Sequence, residues 1–186
     1  MRSFSTTRLS MHPVTPSNSG VLWAIFNEPG LRAYQDLPDL DRVRFSELVA
    51  TRPTSLEPGA EGRFEWLIYV KGPPEVAIGW VSVRISDQSR TTGEIGYSIV
   101  TRRRGRGYAT EAVRALVSEC FERAALERVR AYCVPENERS RAVLRNLGFF
   151  EEGVLTRGAS VRGRMVDVVA YVLPRARWDA MPGTSA

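Results

Sequence analysis

The 186-residue chain is 43% hydrophobic and 25% charged, which predicts one domain over 1–186, with a core from about 6 to 178 and flexible flanks at 1–5 and 179–186. It has no apolar run long enough to cross a membrane, no apolar signal core, and only one histidine and two cysteines, so we expect a cytoplasmic protein without a metal. The net charge of +5 comes almost wholly from arginines spread along the chain, and the lack of a basic helix with interleaved aromatics argues against nucleic-acid binding.

The first half of the chain is predicted to hold most of the strands, because apolar and polar residues alternate there between breaks marked by proline and glycine. Its elements are a strand at 8–12, a helix over 21–26 capped by Ser17, a helix at 40–49, a loop at 52–62, and strands at 64–71, 75–85 and 93–100. The last three strands follow one another through short turns, which indicates an antiparallel meander.

The second half adds one crossover and a closing hairpin. Its elements are a helix at 109–125, a strand at 129–134, a short helix capped by Asn137 and ended by Gly148, and strands at 149–157 and 164–173. Strand, helix, strand implies one parallel pair with a right-handed connection. The fold class is therefore α+β, with a mixed, mostly antiparallel sheet of about seven strands, one parallel crossover, and helices on both faces.

A turn rich in arginine and glycine, residues 102–109, joins a strand to the long helix. Backbone N–H groups at a helix start have no intrahelical partner, and the helix dipole adds positive potential there. Glycines allow close approach of the backbone, and arginines supply charge and forked donors. A solvated charge cluster is the alternative, but the strand-to-helix setting favours a pyrophosphate-bearing cofactor.

The turn lacks the signatures of two common pyrophosphate sites. No Gly-Lys-Ser/Thr follows the glycines, so it is not a nucleotide P-loop. Gly105 and Gly107 match the start of a dinucleotide fingerprint, but Thr110 stands where its third glycine or alanine belongs, and the chain offers one strand–helix–strand unit where a doubly wound sheet needs several.

Two ordered motifs resemble those of the GNAT acyltransferase superfamily. The segment 104–109, Arg-Gly-Arg-Gly-Tyr-Ala, is similar to its Arg/Gln-x-x-Gly-x-Gly/Ala loop, and the segment 137–149, which begins at Asn137 and ends in Leu-Gly-Phe, is similar to its second signature. The opening Thr7-Arg8-Leu9 and the phrase Gly-Tyr-Ala-Thr-Glu-Ala at 107–112 resemble the subgroup of ribosomal-protein N-terminal acetyltransferases. The resemblance runs from Thr6 to Trp178.

The resemblance implies acetyl-CoA as co-substrate, bound where the two parallel strands splay apart. Pantetheine would lie in the gap, because unpaired backbone groups on both strands could bond its amides. By this resemblance the cofactor-binding residues are Ile99 and Val100 for pantetheine, Arg104, Gly105, Arg106, Gly107, Tyr108, Ala109 and Thr110 for the pyrophosphate, and Asn137, Ser140 and Arg145 on the second helix.

The implied reaction is direct attack of an amine on the thioester, which needs a base for the amine and a donor for the departing sulfur. Glu94 is the candidate base, directly or through a water, with a charge partner for nearby arginines as the alternative. Ser140 is the candidate acid, with helix-start hydrogen bonding as the alternative. Many superfamily members carry a tyrosine seven residues after the motif asparagine, but this chain has Leu144 there.

The acceptor amine is not identified by any motif. The resemblance favours a protein N-terminus, with an aminoglycoside or metabolite amine next, presented by the segments 27–41, 86–92 and 156–163. The acidic residues Asp36, Asp39 and Asp41 favour a cationic acceptor or a helix cap, whereas Arg157, Arg162 and Arg164 favour an acidic one. A CoA-binding sensor or interaction module without catalysis is the second function hypothesis, and a homodimer is compatible with either.

Overall fold

Eight strands form a single sheet in the order β1-β2-β3-β4-β5-β6-β8-β7. The computed structural model describes residues 1–28, 30–35 and 37–182. The strands are β1 (Phe4–Ser5), β2 (Leu9–Pro13), β3 (Gly62–Val70), β4 (Ala77–Ile85), β5 (Thr92–Ile99), β6 (Arg128–Cys133), β7 (Phe150–Val161) and β8 (Arg164–Pro174). The helices are α1 (Ser19–Phe26), α2 (Arg42–Ala50), α3 (Tyr108–Glu122), α4 (Glu138–Asn146) and α5 (Arg175–Asp179).

The sheet is antiparallel except between β5 and β6, which α3 connects as a parallel pair. The predicted fold class is therefore confirmed, with eight strands where about seven were expected. The additional strand is β1, whose Phe4 and Ser5 pair with Met11 and Ser10 of β2. Its two residues lie in the segment that the sequence assigned to the N-terminal flank, where they are too few to show an alternating pattern.

Helices cover both faces of the sheet, and the alternation of side chains along β4 and β5 shows which face each helix occupies. Trp80 of β4 packs edge-on against Phe26 of α1, with ring centroids 5.4 Å apart. Trp80 pairs with Ser98 of β5, so these two side chains lie on the same face of the sheet. The side chain of Tyr97, the residue before Ser98, lies on the other face, where it bonds to Ser140 of α4. The α1–α2 face and the α3–α4 face are therefore distinct sides of the sheet.

Helix ends follow capping chemistry at most of the predicted positions. Asp41 accepts hydrogen bonds from the first-turn N–H groups of α2, and Asn137 accepts one from the N–H of Ser140 in α4. The predicted cap Ser17 is wrong: its hydroxyl pairs with that of Thr15 at 2.8 Å, and α1 begins at Ser19. Within the described ranges, no helix is long and apolar enough to span a membrane.

Gly79 of β4 has no room for a side chain. A Cβ built there would lie 2.1 Å from the backbone carbonyl oxygen of Ser98, which the β4–β5 ladder holds in place. Gly96 differs, since its Cβ would meet only the ends of the Ser82 and Trp80 side chains, at 3.1 and 3.3 Å.

We therefore expect Gly79→Ala to lower the free energy of unfolding by about 2–3 kcal/mol, the range for overpacking a filled interior. Gly96→Ala is the matched control and should lower it by less, because side chains can shift where backbone cannot. Chemical denaturation followed by circular dichroism measures both. Equal losses would contradict this account of the β4–β5 contact.

Candidate active site

The strands β5 and β6 are paired over three residues and then separate. Thr92, Gly93 and Glu94 pair with residues 128–130, whereas β5 remains paired with β4 as far as Ile99 and β6 remains paired with β8 as far as Cys133. Each strand is thus held by its outer neighbour while the inner edges diverge. The result is a gap open toward the carboxyl ends of both strands, as the sequence predicts.

The inner edge of β5 presents backbone groups to this gap. The N–H of Val100 donates to the carbonyl of Ile78 at 2.8 Å, and because such bonds alternate along an antiparallel strand, Tyr97 and Ile99 turn their backbone groups the other way. The Tyr97 carbonyl accepts a hydrogen bond from Gln35 Nε2 at 2.9 Å. The backbone groups of Ile99 therefore face the gap, whereas the N–H of Val100 points to β4.

The Ile99 carbonyl accepts a hydrogen bond from Arg104 Nε at 2.8 Å. This contact holds the first residue of the motif loop at the mouth of the gap. Both carbonyls on this edge therefore accept hydrogen bonds from side-chain N–H groups. The amides of pantetheine also carry N–H donors.

The motif loop leaves its backbone donors open. Gly107 has φ +78 and precedes α3, whose start carries no side-chain cap. The N–H of Glu111 already bonds to the Gly107 carbonyl at 3.1 Å, so the N–H groups of the three residues before it, 108–110, extend from the helix start without intrahelical acceptors. A Cβ at Gly105 would meet nothing within 4 Å. This open set of donors fits a pyrophosphate.

Ser140 and Tyr97 meet on the α3–α4 side of the gap. The two hydroxyl oxygens lie 2.8 Å apart, and burial raises the pKa of the Tyr97 phenol well above its ordinary value. The phenol therefore stays protonated, and when it donates to Ser140 Oγ the serine hydrogen is free to point elsewhere. Of these two residues, Ser140 is the candidate acid that the sequence indicated.

Glu94 lies at the fork, on the opposite face. It is the last residue of β5 that pairs with β6, and its carboxylate lies 2.7 Å from the Arg84 guanidinium, so the alternative role of charge partner is realised. Glu94 and Tyr97 differ in parity along β5, and their side chains leave the strand on opposite faces. The candidate base and acid thus approach the gap from its two sides.

Other predicted residues lie around this centre. Arg145 of α4 forms ion pairs with Glu138 and Glu151, at 3.5 and 4.0 Å. The backbone carbonyl of Arg106 accepts a hydrogen bond from the Arg8 guanidinium. The Cys133 thiol at the end of β6 is buried, and burial raises its pKa, which argues against a thiolate nucleophile.

A cleft of about 530 Å³ lies at the carboxyl end of β6. Its lining residues are Ala33, Tyr34, Val134, Pro135, Glu136, Val161, Val166 and Asp167. Two of the predicted acceptor segments meet here, since Arg162 Nε of the closing hairpin donates to the Arg32 carbonyl at 3.2 Å. The third, 86–92, lies elsewhere, with Arg90 paired to Glu61 at 2.6 Å.

The acidic segment before α2 does not act as one group. Asp41 caps the helix, Asp39 lies 3.9 Å from Arg32, and Asp36 falls outside the described residues. The carboxylates of the cleft are instead Glu136 and Asp167. Neither position follows from sequence, because the two residues belong to different elements and carry no motif.

Gln35 was also missed by sequence reasoning. Its amide nitrogen must face the Tyr97 carbonyl, which accepts only, so its amide oxygen points the other way. That oxygen is buried and has no hydrogen-bond partner in the described part of the protein. A buried unpaired acceptor beside the gap is a position for a ligand N–H.

A splayed parallel pair, a donor-rich loop at the start of the next helix and a separate cleft define the class of two-substrate acyltransferases. The Acetyltransferase (GNAT) domain family matches residues 8–150, and the chain belongs to this family and is an N-acetyltransferase. It is 31% identical over 175 residues to the N-acetyltransferase p20 of Bacillus licheniformis, covering 93% of this chain and 96% of p20.

Two solved structures share the fold. The ribosomal-protein-S5-alanine acetyltransferase of Vibrio fischeri has a TM-score of 0.79 and 22% identity, covering 96% of this chain and 99% of that one. RimL, a ribosomal L7/L12 α-N-protein acetyltransferase in complex with coenzyme A, has a TM-score of 0.78 and 19% identity, covering 95% and 99%. The expected family is confirmed, and both structures share its fold.

Proposed function

We propose that the protein is an acetyl-CoA-dependent N-acetyltransferase that acts on a primary amine, with a protein N-terminus as the favoured acceptor. The observation that carries the cofactor is the separation of β5 and β6 after Glu94 and residue 130, beside a helix start without a side-chain cap. The RimL complex with coenzyme A supports this cofactor on the same fold.

Acetyl-CoA, when bound, supplies the acetyl group as an activated thioester. Glu94 accepts the proton of the attacking amine, directly or through a water, and an α-amino group, with a pKa of about 8, gives up its proton more easily than a lysine at about 10.4. Ser140 donates a hydrogen bond toward the departing sulfur, supported by the Tyr97 phenol 2.8 Å away. In this proposal, Ser140 and Tyr97 together supply the donor that many superfamily members provide with a tyrosine at the position of Leu144.

The cleft at the end of β6 is the proposed acceptor site. Its described lining holds two carboxylates and no arginine, among valine, alanine and proline side chains, so it favours a cationic amine attached to an apolar group. This lining supports a cationic acceptor over an acidic one. Gln35 Oε1 is buried and has no partner among the described residues, and in this proposal it accepts a hydrogen bond from that amine.

The direct test is release of free thiol from acetyl-CoA in the presence of candidate acceptors. We expect release with N-terminal peptides that begin with a small or apolar residue, less with spermidine, and least with acidic-tipped peptides. Acetylated peptide is confirmed by mass spectrometry. Coenzyme A binding with no release above hydrolysis for any acceptor would instead support the CoA-binding module.

Glu94→Gln should lower kcat by about 100-fold at pH 7, in the range for loss of a general base. The deficit should shrink above pH 8 or so, because the amine then loses its proton without help. Steady-state kinetics measures both, together with the Kd of coenzyme A, which should not change. Arg84→Gln is the matched control, since it breaks the same ion pair but keeps the carboxylate. Equal kcat losses in both variants would contradict the base role.

Asp167→Asn and Glu136→Gln should raise the KM for a peptide acceptor by about threefold to tenfold each, the range expected when one charge partner of a cation is removed near a surface. The KM for acetyl-CoA should stay the same. Glu47→Gln, an exposed carboxylate on α2, is the control and should change neither constant. If Asp167→Asn and Glu136→Gln raised the KM for the peptide and the KM for acetyl-CoA equally, the cleft would not be the acceptor site.

A further inference from the structure

The first turn of α3 carries a carboxylate where the proposed cofactor needs positive charge. Glu111 is the acidic residue of that turn, and its side chain is only 18% exposed. A negative group at a helix N-terminus lowers the positive potential that would attract a phosphate. Residues just before β2, at 6–8, compensate this charge.

Glu111 is held by residues at 6–8. The Thr6 hydroxyl and the Arg8 backbone N–H, the latter at 3.0 Å, both donate to Oε1, and the Arg8 guanidinium lies 2.6 Å from Oε2. Burial alone would raise the pKa of Glu111, but these bonds outweigh it and the pKa is lowered. The carboxylate is therefore ionised at neutral pH and fully paired with Arg8.

The same guanidinium contacts the motif loop. Arg8 Nη1 donates to the Arg106 carbonyl at 3.1 Å, and its Cζ lies 4.9 Å from the centre of the Tyr108 ring. In a trans peptide the carbonyl and the following N–H point in opposite directions. By holding the Arg106 carbonyl, Arg8 turns the Gly107 N–H away from itself, toward the outer side of the loop.

The segment around Arg8 is itself fixed. Lys71 bonds to it twice, through its backbone N–H to the Arg8 carbonyl at 2.9 Å and through Nζ to the Thr6 carbonyl at 2.5 Å. The end of β3 thus supports the segment, the segment supports Arg8, and Arg8 supports the loop. The Lys71 bonds fix the backbone of the segment, while the half-exposed Arg8 guanidinium is held by its own bonds to Glu111 and to the Arg106 carbonyl.

We propose that Arg8 is a positioning residue of the cofactor loop, which directs the Gly107 N–H toward the pyrophosphate and neutralises Glu111 at the start of α3. The inference rests on the proposed function, because it assumes that the loop binds the pyrophosphate of coenzyme A. It links two segments that lie far apart in the sequence, Thr7-Arg8-Leu9 and residues 107–112.

The test compares coenzyme A binding by calorimetry for the wild-type protein, Arg8→Gln, Glu111→Gln and the double variant. We expect Arg8→Gln to raise the Kd by about tenfold, as for loss of a hydrogen bond to a charged group together with charge compensation. The double variant should recover part of this loss, because Glu111→Gln removes the uncompensated charge. The part of the loss that comes from the missing bond to the Arg106 carbonyl should remain.

Turnover with S-acetylpantetheine, which lacks the pyrophosphate, separates positioning from general damage. Arg8→Gln should leave kcat/KM with this donor unchanged while lowering it with acetyl-CoA. Arg2→Gln is the matched control: Arg2 pairs with Glu119 of the same helix at 2.7 Å, and its loss should not change coenzyme A binding. Arg8→Lys, which keeps the charge without the fork, should give an intermediate Kd if Arg8→Gln does not fold.

The possible failures are distinguishable. Wild-type protein that does not bind coenzyme A would overturn the proposed function itself. Wild-type protein that binds, with Arg8→Gln or Arg8→Lys binding equally well, would overturn only the role of Arg8. Equal loss of activity with both donors would show that Arg8 is a structural residue, and no recovery in the double variant would overturn the neutralisation of Glu111.

Discussion

The site depends on one constraint: beyond Glu94, β5 follows β4 and β6 follows β8, and the two strands no longer pair with each other. β4 pairs with β5 as far as its last residue and β8 pairs with β6 as far as its last residue, while the inner edges lie apart. Buried backbone groups without partners are costly, about 1–3 kcal/mol each. Gln35 and Arg104 bond to two carbonyls on this edge, and the remaining edge is suited to a ligand with amide groups.

One strand serves both faces of the gap, because successive side chains of β5 alternate. Glu94 leaves toward the α1–α2 face and Tyr97 toward Ser140 on the α3–α4 face. In the proposed reaction the base acts on the nitrogen of the amine and the hydrogen-bond donor acts on the departing sulfur, two different atoms bonded to the reacting carbon. Because Glu94 and Tyr97 lie three residues apart on one strand, their side chains leave it on opposite faces, and the two proposed roles do not compete for one position.

The sequence predicted features formed by neighbouring residues and missed contacts between residues far apart in the chain. The loop at 104–110 and the Asn137 cap are contiguous patterns whose conformation follows from a few neighbouring residues, and both occur where they were predicted. The contact of Tyr97 with Ser140 joins residues 43 positions apart, and that of Gln35 with Tyr97 joins residues 62 apart. Neither has a spacing rule, since only the packing of a loop or helix against the sheet brings them together.

The distribution of charge, rather than the net +5, bears on catalysis. Arginines occupy four of the five positions of the loop at 102–106, which follows β5, and two carboxylates line the cleft at the carboxyl end of β6. The two sides of the open end of the gap therefore favour ligands of opposite sign. Acetylation removes the positive charge of an amine. At the proposed acceptor site, Glu136 and Asp167 would hold the unreacted cationic acceptor but not a product that has lost its charge. The carboxylates proposed to select the acceptor would therefore also favour release of the product.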